Sequence, residues 1–198
     1  MPRLTDIPTA LRLSRWLAPS LLDVFFCALL FGVFLQPQGV GSLLSDGDTG
    51  WHIRTGQLVL QTGSIPQTDP FSFSLPRKTW FAWEWLADVI FALLWQWRGL
   101  AGVTAFSGCI LGLAATAMLA RLLREGSGLW IGLAVALAAV SASSVHYLAR
   151  PHAFSILFYT LALWVVVEDR ERNGPTLWAT VPLTALWVNL HGGFVAWL

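Results

Sequence analysis

The sequence predicts an all-α membrane protein, a multi-span transmembrane helix bundle with a long first outer loop that carries helices of its own. Three observations predict it. Apolar residues make up 56% of the 198 and charged residues only 12%, where a soluble domain carries about a quarter charged. Apolar runs long enough to cross a bilayer recur along the chain, since a core of roughly 30 Å takes about 20 helical residues. Twelve tryptophans complete the pattern, because indole concentrates where membrane meets water.

The first span is the run 17–36. It is too long for a signal peptide, contains Asp23 and lacks a small-x-small cleavage site. Further spans are expected at 100–123, 129–149, 152–167 and 177–198, the last with Asn189 and His191 near its end. Gly108, Gly112, Ala114, Ala115 and Ala117 are small enough to let neighbouring helices approach closely. The whole chain, 1–198, reads as one transmembrane domain. Its stop at Leu198 inside an apolar stretch sets the expectation of a C-terminal truncation.

The outer loop is 37–99. A helix is expected at 49–61, closed by Gly63, and a second at 81–97, where Glu84 and Asp88 lie one turn apart among Trp80, Trp83, Trp85, Trp95 and Trp97. That second segment is short and acidic for a span and reads as a helix lying in the interface. Read as a span instead, it would invert everything downstream. Arg3, Arg12 and Arg15 place the N-terminus in the cytoplasm, and counting spans then puts Arg121, Arg124, Arg170 and Arg172 on the same side. The outer loop, the Arg150-Pro151-His152 turn and the segment 189–193 all emerge on the opposite face.

Polar clusters on that face are the candidate chemistry. Asp46 and Asp48, two apart with Gly47 between, can direct both carboxylates at one acceptor hydroxyl or at one divalent cation, Mg²⁺ or Mn²⁺. Asp48 is equally a sound N-cap, although capping leaves Asp46, His52 and Arg54 unexplained. Asp69, before Pro70, suits a turn and could reinforce the first cluster. Glu84 between Trp83 and Trp85 can bond sugar hydroxyls while the indoles stack, or belong to an ordinary aromatic belt. Arg150 suits phosphate or snorkels, and His146 and His152 flank it. Asn189 and His191, before Gly192-Gly193, either face a ligand or clamp two helices.

Cys27 and Cys109 lie in apolar runs, which argues against a disulfide framework. A net charge of +1 with no basic patch gives no reason to expect nucleic acid. No nucleophile elbow, Walker loop, Rossmann fingerprint or zinc spacing is present.

Taken together, SDGDTGWHIRTGQLVLQTGSIPQTDPFSFS, WFAWEWLAD, ARPHAFS and LWVNLHGGF resemble bacterial membrane proteins of the GT-C glycosyltransferase superfamily. The likeness is to its RgtA/B/C/D-like and dolichyl-phosphate-mannose–protein mannosyltransferase-like branch, over about Ser45 to the end. The resemblance implies a bundle of GT-C type in the inner membrane that moves a sugar from a polyprenyl-phosphate donor to an acceptor hydroxyl on the periplasmic face. It implies Asp46 and Asp48 as the catalytic acidic pair, Asp48 foremost, in a family that divides on metal use. Arg150 and Arg54 would then meet the phosphate, and His52, His152 and His191 would bind sugar or phosphate. Members have more spans than this chain. A transporter or flippase fragment and a non-catalytic membrane subunit are the alternative readings.

Overall fold

A computed structural model describes residues 19–35, 39–172 and 175–197. Among these residues there is no strand, only an isolated bridge between Thr68 and Thr79. Arg3, Arg12 and Arg15, and residues 17, 18 and 36 of the first expected span, lie outside the described residues.

Helix α1 is Leu21–Phe34, with Ser20 as its N-cap and Asp23 in its first turn. Ser20 Oγ accepts the Asp23 N–H while the Asp23 carboxylate accepts the Ser20 N–H, a reciprocal capping box. Short α2 (Gly39–Leu43) leads into α3 (Asp48–Thr62), which Gly63 closes in the left-handed conformation. A turn follows in which Asp69 N–H bonds Lys78 O and Trp80 N–H bonds Gln67 O.

Helix α4, Trp85–Arg124, is two helices joined through Arg98 and Gly99, whose φ is +60°. Its halves, 85–97 and 100–124, cover the segments expected at 81–97 and 100–123, except that the first begins at Trp85 rather than at 81. Helix α5 is Leu129–Ser143, continued as a single 3-10 turn to His146. Helix α6, His152–Arg172, runs beyond the expected 167. The segment 177–198 is not one helix. A 3-10 turn (Pro175–Ala179) leads into α7 (Thr180–Val188), and a second 3-10 turn (Gly192–Ala196) follows the break at Asn189–His191.

Three helices, Trp85–Arg124, Leu129–His146 and His152–Glu171, are long and apolar enough to cross a membrane. Helix α1 packs antiparallel to the second half of α4, where the small residues act as expected. A Cβ at Gly108 would lie 2.8 Å from the Phe34 ring, and one at Gly112 would lie 3.0 Å from Phe26.

The alternation of helix directions sorts the charges to two ends. At one end Arg121 bonds Glu168 at 3.0 Å and Glu171 at 2.9 Å, and Arg124 bonds Glu168 at 3.1 Å. This clasp ties α4 to α6. Arg121→Ala is expected to destabilise the chain by about 1–2 kcal/mol, as Arg124 still holds Glu168. Thermal unfolding of the detergent-solubilised protein would measure it. The other end carries the polar clusters of residues 45–54 and 84–88.

Candidate functional site

Arg150 is positioned by the backbone of its neighbour. Ala149 N–H donates to Leu43 O at 2.7 Å, and its carbonyl accepts from Thr49 Oγ1 at 2.9 Å. The turn before α6 is thereby stapled to α2 and α3. The guanidinium reaches Asp46 Oδ2 at 2.6 Å and Asp48 Oδ2 at 2.5 Å, one nitrogen to each carboxylate. Asp46 Oδ1 accepts the Asp48 N–H at 2.7 Å. That bond, aided by Arg150 and opposed by burial, holds the Asp46 carboxyl below its ordinary range. Gly47, not Asp48, is the N-cap of α3, and no side chain caps it. Both aspartates are therefore available to Arg150.

About two turns along α3 from Asp48 the chain approaches α4 closely. A Cβ at Gly56 would lie 1.9 Å from the Asp88 carbonyl oxygen, so only glycine permits this spacing. The approach sets His52 Nδ1 at 2.6 Å from Asp88 Oδ1, with both side chains 1% exposed. Asp88 Oδ2 has no hydrogen-bond partner among the described residues. His52 Nε2 faces Glu84 Oε2 at 3.7 Å, and Glu84 Oε1 faces His191 Nε2 at 3.4 Å.

His191 is fixed from behind. Its Nδ1 accepts the Gly193 N–H at 2.9 Å and lies 2.7 Å from Ser155 Oγ. Ser155 Oγ in turn accepts from Trp187 Nε1 at 2.7 Å. Burial lowers His191 to about 4, so at neutral pH the ring is uncharged. With Nδ1 an acceptor, Nε2 carries the hydrogen and points it at Glu84. Tyr159 donates to Gly193 O at 2.8 Å and completes the frame.

Burial raises the Glu84 carboxyl above its ordinary range. The charge of Asp88 acts in the same direction, and His52 and Arg150 oppose it. An acid whose folded-state value is raised costs stability once pH rises above its unfolded value. Glu84→Gln is therefore expected to raise the unfolding temperature at neutral pH. That advantage should vanish in acid below the ordinary glutamate range, which a pair of thermal scans would check.

A cleft of about 240 Å³ opens beside Glu84. Trp51, Trp80 and Trp83 line it, and Glu84, Asp88 and Gly192 also border it. Trp51 and Trp80 meet edge to face at 6.2 Å.

The remaining candidates divide. The His152 ring lies 6.3 Å from His191 and 6.1 Å from His146, whose carbonyl oxygen its Nε2 meets. Asn189 is a clamp between helices: its Oδ1 accepts from Trp85 Nε1 at 2.9 Å and its carbonyl accepts from Leu86 N–H at 3.1 Å. Arg54 bonds Gln57 at 3.1 Å on the exposed side of α3. Asp69 accepts from Phe71 N–H and Ser72 N–H at 2.8 and 3.1 Å, as a turn-former does, and does not reinforce the acidic pair.

Asp88 and Ser155 were not among the expected site residues. The four-residue spacing to Glu84 flags Asp88, whereas no sequence signal marks Ser155. A Mg²⁺ or Mn²⁺ at Asp46 and Asp48 would have to displace the guanidinium that bridges the two carboxylates.

The fold and site define a helical chain with three helices able to cross a membrane and, at one end, a linked set of carboxylates, imidazoles and one arginine. No family model, curated protein or solved structure matches the chain.

Proposed function

We propose that this chain is an inner-membrane glycosyltransferase that moves a sugar from a polyprenyl-phosphate donor to an acceptor hydroxyl at the periplasmic edge, with the N-terminus in the cytoplasm. One observation carries the reading. Arg150, about a hundred residues away in sequence, bridges Asp46 and Asp48 within the same end of the bundle as Glu84 and His191. A planar guanidinium held in a two-pronged contact is a phosphate receptor in waiting, since phosphate oxygens present the same geometry as the carboxylates they would replace.

The chemistry follows from that exchange. Donor phosphate draws Arg150 towards itself and releases Asp48, the more exposed of the pair. Asp48 takes the proton of the acceptor hydroxyl, whose oxygen bonds to the anomeric carbon. The carbon–oxygen bond to phosphate breaks and its electron pair leaves on phosphate, where Arg150 offsets the charge. No covalent enzyme intermediate forms. A cleft of about 350 Å³ opens beside the pair, lined by Val33, Leu43, Val145, Tyr147 and Leu148 together with Ser42, Ser45 and Ser144, and offers both apolar and hydroxyl groups to the phosphate end of a lipid carrier.

Membranes containing the full chain would be given radiolabelled polyprenyl-phosphate sugars, with release of free polyprenyl phosphate followed. Release that depends on this chain supports the reading. Carriage of the intact labelled donor across vesicles without release would replace it with a flippase.

A further inference from the structure

We infer that the cleft between Trp51, Trp80 and Trp83 binds the ring of a pyranose, and that this ring belongs to the acceptor. The second half of that statement rests on the transferase reading; the first does not.

The buried end of the cleft carries the argument. Asp88 is wholly buried, one carboxylate oxygen bonds His52, and the other, Oδ2, has no partner among the described residues although Asp88 borders the cleft. A buried acceptor left without a donor is costly, and a ligand hydroxyl entering the cleft would supply one. Glu84 offers a second acceptor beside it.

The walls select the rest of the ligand. Trp83 is 75% exposed, which leaves its indole open to a ligand entering the cleft. Indole faces pack against the apolar C–H face of a sugar ring while hydroxyls at the rim reach the carboxylates. The volume of about 240 Å³ lies below the ~300–1,000 Å³ of drug-sized sites and matches a single ring. Among the described residues no lysine or arginine lines it, so an anionic ligand is disfavoured. An ammonium is disfavoured too, because each carboxylate already faces an imidazole and a strongly hydrated cation would have to be stripped.

Placement ties the cleft to the transfer. Asp48 and His52 stand four residues apart on α3 and share one face, and Trp51 is beside His52. A ring in the cleft thus lies about one helical turn from Asp48.

The full chain in phosphatidylcholine nanodiscs, free of glycosidic detergent, would be examined by saturation-transfer NMR. The probes are methyl glucoside, methyl mannoside, methyl galactoside, methyl glucosaminide and linear sorbitol. At least one neutral pyranoside is expected to receive saturation, strongest on its ring C–H protons. Trp83→Ala and Asp88→Asn should each weaken its binding about tenfold, and Trp130→Ala on α5 should change nothing. Trp83→Ala, at an exposed position, decides the matter should Asp88→Asn fail to fold. Saturation that survives Trp83→Ala, that reaches no pyranoside, or that reaches only the aminated probe or sorbitol overturns the inference. Ring binding without sugar transfer would overturn the transferase reading and leave the cleft standing. Transfer without ring binding would do the reverse.

Discussion

Arg150→Ala should reduce sugar transfer about 10²–10³-fold while leaving membrane insertion and abundance unchanged. Its guanidinium touches Asp46 and Asp48 at 2.6 and 2.5 Å but lies at a partly exposed edge, so its loss removes charge rather than core. Arg150→Lys should rescue little, because an ammonium cannot span two carboxylates or two phosphate oxygens in one plane. Asp48→Asn should fall by about 10²–10⁴-fold, since the amide cannot take the acceptor's proton. Release of polyprenyl phosphate from labelled donor in membranes measures all three. Full activity in Asp48→Asn would remove that residue from the chemistry.

Gly56→Ala should be the most damaging single-methyl change in residues 37–99. The added carbon would sit 1.9 Å from the Asp88 carbonyl oxygen, 2.3 Å from its carbon and 2.9 Å from the Ala92 side chain. A backbone carbonyl within a helix cannot rotate away, so α3 must lift off α4. Overpacking of this kind costs about 3 kcal/mol or more. The His52–Asp88 contact, one turn away, would be lost in the same movement. Thermal aggregation of the solubilised variant should begin well below that of the parent. Ala92→Gly should not rescue it, because the closest obstacle is backbone.

Much of the helical architecture is legible in residue order because apolar length is a local property. Even the division of α4 is visible, as Arg98-Gly99 interrupts an otherwise apolar run and Gly99 takes positive φ. The last segment misleads because composition alone sets its apparent length. Asn189 and His191 look tolerable within 177–198, yet Asn189 turns its side chain to Trp85 and its carbonyl to Leu86 and ends the helix.

The site is legible as residues but not as pairings. Asp46, Asp48, Arg150, Glu84 and His191 stand out as charges or rings against apolar surroundings, but which touches which depends on helix directions and on the backbone staple at Ala149. Asp88 is visible one turn from Glu84 as one more acid near an interface, but only the close approach at Gly56 reveals it as the partner of His52. Ser155 is one serine among many until Trp187 and His191 close on it.

The most direct test of the shared site is thiol labelling in intact cells, with Cys27→Ser and Cys109→Ala removing the native thiols. Asp48→Cys and Arg150→Cys should each react with a membrane-impermeant reagent from the periplasmic side, and the double variant should be joined by a short bifunctional thiol reagent. Arg124→Cys, at the far end of α4, should stay unlabelled until the membrane is opened. Labelling of positions 48 and 150 from opposite faces would contradict a common pocket, and with it the transfer of sugar between them.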